Sequence, residues 1–159
     1  SLSNHGRSSH YGYQDVGWNS RMDSLQAAFL NLSYEHLSAR IKSRLVSAEY
    51  YQNQIQSSDA PFMPIPEGYG ANGYCNVMMV RDQSLKLKLE LALKNANIGF
   101  GNIYPSTVSE QTCASKYSKR HFGGQNAKIL SRSVLNLPLF PYMTEAELNE
   151  VVTVVRSVI

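Results

Sequence analysis

Apolar residues recur at mostly three- and four-residue steps from Met22 through Leu25, Phe29, Leu32, Leu37, Ile41, Leu45, Ala48, Tyr51 and Ile55. A stripe with a period near 3.6 predicts one long amphipathic helix over 23–56. Asp23 stands where it can cap that helix, and Gln26, three residues on, completes a capping box. At ~1.5 Å per residue the helix would be roughly 50 Å long, a brace between subdomains or a subunit contact. Ahead of it, residues 1–20 are rich in Ser, Gly, Asn, His and Tyr and show neither a helical nor a strand period. That composition belongs to loop or extended chain.

Past the helix, Pro61, Pro64, Pro66, Gly68, Gly70 and Gly73 mark a loop over 57–73, and Tyr74 to Val80 reads as a buried strand. Leucines at 85, 87, 89, 91 and 93 then alternate with Lys, Glu and Ala. Alternation alone predicts a strand. Yet Leu, Lys, Glu and Ala are strong helix formers, and no β-branched residue stands between Ser84 and Ala96, so the segment is expected to be a helix ended by Asn97 and Gly99. A short strand follows over 98–104, stopped by Pro105. Residues 106–128 are polar and should mix loop with short helix, and Ser133 to Leu137 suggests another strand. Thr144 and Glu147 form a second capping box, opening a last helix with Leu148, Val151, Val152, Val155 and Ile159 on its buried face. Interleaved strands and helices make the class α/β or α+β.

Composition narrows this picture. A chain of 159 residues is about one domain, able to bury a core without disulfides. The net charge of +3 comes from scattered Lys and Arg, too little to argue for nucleic acid. Cys75 and Cys113 are far apart and have no clustered His beside them, so no zinc spacing exists and a reducing compartment is expected. No metal-ligand spacing is found among the four histidines. The apolar stretches fall short of a membrane span and the polar start is no signal peptide, which predicts a cytoplasmic protein without a membrane partner.

The candidate chemistry lies just ahead of the long helix. Gly17, Asn19, Arg21, Met22, Gln26, Ala27 and Ala28 stand in one register. An amide and a guanidinium beside a helix N-terminus suit an anionic group such as a phosphate or carboxylate. This run resembles the "G-x-N-x-R-M-x-x-x-Q-A-A" signature of the DegT/StrS-type sugar aminotransferases, which use pyridoxal phosphate. Asn4-His5-Gly6 resembles the family's "N-H-G", and Ile98-Gly99 with Tyr104-Pro105 its "G-I…Y-P" segment. Val134 to Pro141 is similar to "v-L-x-L-P-l-x-P", and Met143 to Leu148 to the "m-T-x-x-E" helix start. The likeness covers nearly the whole chain.

The resemblance implies the C-terminal portion of a fold-type-I pyridoxal-phosphate transferase: a long bracing helix followed by a small α/β (α+β) domain of sheet and helices. Residues 1–22 would be the tail of the large domain and the cofactor-phosphate loop, 23–56 the connecting helix, and 57–159 the small C-terminal domain. The reaction implied moves an amino group from glutamate to a keto group on a nucleotide-linked sugar, in a homodimer with active sites at the subunit interface. Asn19 would reach the cofactor phosphate of the neighbouring subunit, with Arg21 beside it. Substrate contacts are expected from His5, Tyr13, Tyr104 and Ser109, with Tyr11 also near the cofactor. Many members carry a His where Ser109 stands; a serine hydroxyl can hydrogen-bond a sugar but cannot titrate near neutrality.

No catalytic residue of this kind is expected within the chain. In the family the Schiff-base lysine and the carboxylate at the pyridine nitrogen precede His5-Gly6. Lys42, Lys86, Lys88, Lys94, Lys116, Lys119 and Lys128 have no such context and read as solvated side chains. The chain alone is therefore expected not to catalyse transamination. Two other readings remain: a non-catalytic binding or regulatory domain derived from the same fold, and a pyridoxal-phosphate-dependent sugar dehydratase, in which a His replaces the lysine. Lys116, Lys119, Arg120, His121 and Gly123-Gly124 form a small basic loop. It reads as surface, because a phosphate loop would want a helix directly after the glycines and a Gly-Lys-Ser/Thr ending.

Overall fold

The computed structural model describes residues 1–9, 12–117 and 122–159. They form two compact units, Ser1–Ser38 and Ala39–Ile159. In the first, an irregular hairpin leads into helix α1, Ser24–Glu35. The expected capping box opens it: Asp23 Oδ1 accepts from the Leu25 N–H at 2.8 Å and Gln26 Oε1 from the Asp23 N–H at 3.4 Å. Helical chain covers nearly the span expected, but as two helices rather than one. At His36 the N–H turns to the Ser33 carbonyl at 3.3 Å, a three-residue step that tightens and ends the turn, and α2 runs over Leu37–Gln54. Ser33, Tyr34 and His36 are all modest helix formers, which suits a break there. The apolar stripe is also divided. Leu25, Phe29 and Leu32 are at least 60% exposed, whereas Tyr51 and Ile55 are buried.

The second unit is built on a small antiparallel sheet. Strand β1, Asn76–Met79, pairs with β2, Val134–Leu137, with Asn76 opposite Leu137 and Met79 opposite Val134. Single bridges widen it on both sides, Phe62 to Met78 on one and Gly101 to Asn136 on the other. The strand expected at 98–104 is reduced to that bridge, closed by paired bonds between Gly101 and Asn136 at 3.0 and 2.7 Å. Strand β2 lies between two neighbours, and all four of its residues are buried.

Helix α3, Gln83–Asn95, resolves the leucine alternation. Leu85, Leu89 and Leu93, four apart, face the core, while Leu87 and Leu91 are exposed. Asn97, at φ 56°, ends it in a Schellman motif: its N–H reaches the Lys94 carbonyl and that of Ile98 the Leu93 carbonyl. A 3-10 turn at Val108–Glu110 and short helix α4, Thr112–Tyr117, occupy the polar segment. Helix α5, Gln125–Ser133, was not expected beyond a short helical stretch, and it starts directly after Gly124. The helix a phosphate loop would want is thus present, though the Gly-Lys-Ser/Thr ending is not; Lys119, Arg120 and His121 lie outside the described residues.

Helix α6, Glu145–Arg156, has the expected capping box and buries Leu148, Val151, Val152 and Val155. Ile159 is 38% exposed; Val158 packs on the core in its place. Tyr51, Met78, Leu89, Leu93 and Leu135 form the centre. The chemical setting of Lys86 also differs from the sequence reading. It is buried, donates to the Arg132 carbonyl at 2.9 Å and pairs with Glu90 at 3.6 Å, a cation on the C-terminal turn of α5. No helix among the described residues is long and apolar enough to cross a membrane.

Candidate functional site

The residues expected around a cofactor phosphate lie on the hairpin of the first unit. Its two arms, 1–6 and 14–20, are held by backbone bonds from Trp18 N to the Leu2 carbonyl at 2.7 Å, His5 N to Trp18 at 2.9 Å and Ser20 N to Ser3 at 3.0 Å. Asn4 and Asn19 pair across it, as do Arg7 and Tyr13. At the end of the first arm a tight turn, closed by the Arg7 N–H on the Asn4 carbonyl at 3.0 Å, puts His5 and Gly6 at positive φ, 60° and 77°. Two successive left-handed residues bend the chain sharply, a conformation costly for most side chains and free for glycine.

Pairing explains which side chains meet. In an antiparallel pair, a residue's neighbours on one face are its direct partner and the residues two positions along that strand. For Asn4 these are Asn19 and Arg21. Arg21 Nη2 donates to Asn4 Oδ1 at 3.4 Å, so two amides and a guanidinium come together. Asn19 and Arg21 are exposed, and Asn4 is half-buried. The remaining donors on these side chains suit a phosphate, which offers only acceptor oxygens at neutral pH.

The first turn of α1 does not add to this donor set as expected. Its leading N–H groups are taken by the helix's own capping box, and Asp23 places a carboxylate there. The donors available to an anion here are those of side chains rather than of a helix N-terminus. His5 and Tyr13 belong to the same hairpin, both exposed; Tyr11 lies outside the described residues. An open depression of about 360 Å³ borders Asn4, lined also by Arg7, Ser8 and Ser9.

Tyr104 and Ser109 belong to the second unit. Tyr104 is 76% exposed on the segment that Asn136 anchors, its Nδ2 donating to the Gly101 carbonyl at 3.1 Å. Ser109 sits in the 3-10 turn, sharing a hydrogen bond with Thr107 Oγ1 at 3.0 Å. A capping box that the sequence reading missed fixes this turn: Glu110 accepts from the Thr107 N–H at 3.1 Å and from its hydroxyl at 2.9 Å. The Thr-x-x-Glu spacing was the available signal. These bonds, the backbone one first, hold the Glu110 carboxyl below the usual carboxylate range, helped by Lys128 and Arg132 against partial desolvation.

Comparison with known proteins gives this arrangement a context. Residues 1–156 match the DegT/DnrJ/EryC1/StrS aminotransferase family. Among curated proteins, the chain is 28% identical to a UDP-N-acetyl-3-dehydro-alpha-D-glucosamine 3-aminotransferase of Acidithiobacillus ferrooxidans, over 98% of this chain and 41% of that protein. It is also 28% identical to a dTDP-3-amino-3,6-dideoxy-alpha-D-galactopyranose transaminase of Aneurinibacillus thermoaerophilus, with the same coverage. Among solved structures, DesV of S. venezuelae superposes with a TM-score of 0.85 at 22% identity, covering 98% of this chain and 42% of that one, a likeness of fold. The chain thus spans about two fifths of the length of the curated relatives it matches. With the match running from the hairpin through the last helix, the chain belongs to the DegT/DnrJ/EryC1/StrS aminotransferase family.

Proposed function

We propose that this chain supplies the C-terminal portion of a pyridoxal-phosphate-dependent aminotransferase that moves an amino group from glutamate to a keto group of a nucleotide-linked sugar. The observation that carries the reading is the family match over residues 1–156. Relatives named for UDP- and dTDP-linked sugars support the substrate class. In this reading residues 1–22 form the phosphate loop and tail of a large domain, 23–56 the connecting helical segment, and 57–159 the small domain of a cytoplasmic homodimer.

Asn19 and Arg21 would hold the cofactor phosphate of the neighbouring subunit. The donor set fits: amides and a guanidinium, with the nearest helix acid, Asp23, engaged in its own cap. When bound, the pyridine ring supplies an electron sink for bond cleavage next to nitrogen. The chain's own residues bind and orient. The planar guanidinium of Arg21 can grip two phosphate oxygens at once. His5 and Tyr13 would contact substrate from the hairpin, and Tyr104 and Ser109 from the small domain. With Ser109 where many members of such a family would carry an imidazole, that contact can hydrogen-bond sugar hydroxyls without adding charge.

None of the described lysines offers itself as the cofactor's covalent partner. Lys42, Lys88, Lys94 and Lys116 are exposed, Lys128 lies beside Glu110, and Lys86 is bound to the Arg132 carbonyl and Glu90. The chain by itself is therefore expected to be inactive. The test is the visible spectrum of the complete protein carrying this sequence. A yellow chromophore that borohydride bleaches and glutamate shifts supports the aminotransferase. Bound cofactor that borohydride cannot fix to the protein points to the dehydratase. A colourless protein that takes up no cofactor points to the binding or regulatory domain.

A further inference from the structure

Asn4 has no role in the reading so far beyond its place in a motif, yet the hairpin is arranged around it. Its N–H donates to the Ser1 carbonyl at 2.9 Å and its carbonyl accepts from the Arg7 N–H at 3.0 Å, so its side chain projects from a fixed turn. That side chain is half-buried, whereas Asn19 opposite it and Arg21 on the diagonal are exposed. Arg21 donates to its carboxamide oxygen.

The chemistry of this partner matters. Arginines at protein surfaces commonly pair with carboxylates, which fix the guanidinium and also cancel its charge. Here the acceptor is a neutral amide. The carboxylates of the unit that have such partners are engaged elsewhere: Asp15 accepts from Ser1 Oγ at 3.2 Å and Asp23 caps α1. An amide orients the guanidinium while leaving its positive charge whole, and among the described residues only one of its five N–H donors is used. This is the arrangement expected where the charge serves a ligand.

We propose that Asn4 is a positioning residue that holds Arg21 at full charge beside Asn19 to receive a phosphate group. The inference rests on the phosphate role given above to Asn19 and Arg21. A cofactor phosphate and the diphosphate of a nucleotide-sugar share that chemistry, and the experiment separates them.

The complete protein, stripped of cofactor, is titrated with pyridoxal phosphate, with pyridoxal lacking the phosphate, and with UDP. Wild type is compared with Asn4→Ala, Asn4→Asp, Arg21→Ala and the Asn4→Ala/Arg21→Ala double variant. Asn4→Ala should weaken the phosphate-bearing probe about three- to tenfold. Asn4→Asp, nearly isosteric, should weaken it more, because it keeps the hydrogen bond and neutralises the guanidinium. A loss of structure alone would spare that variant, so the charge dependence separates positioning from folding. Pyridoxal binding should not change, and Asn4→Ala should add nothing once Arg21 is gone. A loss confined to pyridoxal phosphate assigns the group to the cofactor, and one confined to UDP assigns it to the substrate; either supports the proposal. Wild-type phosphate binding by Asn4→Asp, or an undiminished Asn4→Ala effect without Arg21, overturns it. If Arg21→Ala binds both probes like wild type, the phosphate role of Arg21 itself fails, and the inference fails with it.

Discussion

A methyl group on Gly17 would lie 2.7 Å from the Leu2 carbonyl oxygen and 2.6 Å from the His5 carbonyl carbon, and closer still to the Gly6 amide nitrogen. All three are backbone atoms, so no rotamer change can make room. Gly17 is therefore required for space. Relief can come only by parting the arms of the hairpin, which breaks the bonds Trp18 N to Leu2, His5 N to Trp18 and Ser20 N to Ser3, at 2.7, 2.9 and 3.0 Å. At about 0.5–1.5 kcal/mol net for each, Gly17→Ala should open the hairpin at a cost of about 2–4 kcal/mol. That is at the upper end of what overpacking usually costs.

The damage should stay local, because Gly6 is the only buried residue among those described in the first unit. Amide exchange measured on the complete protein should show His5 and Trp18 losing protection while Leu89 and Val155 keep theirs. Gly99→Ala is the matched control: nothing lies within 4 Å of its added carbon and its φ is not positive, so stability should move by less than about 1 kcal/mol. Full protection of His5 and Trp18 in Gly17→Ala would refute the packing argument. It would also remove the structural reason for a glycine two residues before Asn19.

Two further outcomes follow from the second unit. Tyr51 is fully buried and, among the described residues, its hydroxyl has only the Met143 thioether, at 3.9 Å, so Tyr51→Ala should cost about 3–5 kcal/mol and Tyr51→Phe less than about 1. Burial first, and the Glu147 charge second, push its phenol pKa up. The unfolded chain therefore ionises first, stability should fall as pH rises past the ordinary tyrosine value, and Tyr51→Phe should abolish that alkaline loss in thermal unfolding scans; an unchanged alkaline limb would sink the assignment. Glu147 has its pKa lowered by the Thr144 backbone and side-chain hydrogen bonds, against some desolvation. The α6 cap should thus persist at pH 5 and fade as pH falls below the ordinary carboxylate range, read as faster-than-intrinsic loss of Thr144 amide protection that Glu147→Gln does not show. Equal pH dependence in both proteins would contradict it.

Elements with paired local signals were legible from the sequence. Asp23 with Gln26 and Thr144 with Glu147 announced two helix starts, and both boxes are formed. The leucine alternation over 85–93 was settled by intrinsic propensity, and the structure puts every second leucine of that run on the core face. Helix α5 gave no comparable signal. It is capped by Gly124 at φ 85°, without a side-chain cap, and buries only Ser133, so no capping residue marks its start. The break at His36 was hidden for the opposite reason: the apolar stripe continues across it while its first half stays exposed. Lys86 looked like an ordinary solvated lysine because its partner, the Arg132 carbonyl, is contributed 46 residues away.

The candidate site shows the same limit. Asn19 and Arg21 could be picked out because they stand two apart in a recognisable run, and two apart in extended chain means one face. What that face meets is decided by register. Pairing of Asn4 with Asn19 sets Arg21 on the diagonal from Asn4, a separation that an arginine is long enough to bridge. The register in turn depends on His5 and Gly6 making the turn at positive φ and on Gly17 letting the arms close. A one-residue slip would send the Asn4 side chain to the other face and leave Arg21 without its amide partner. The glycines and the polar residues of the motif are therefore one device: the first set the register, and the register determines which charge is held, and by what.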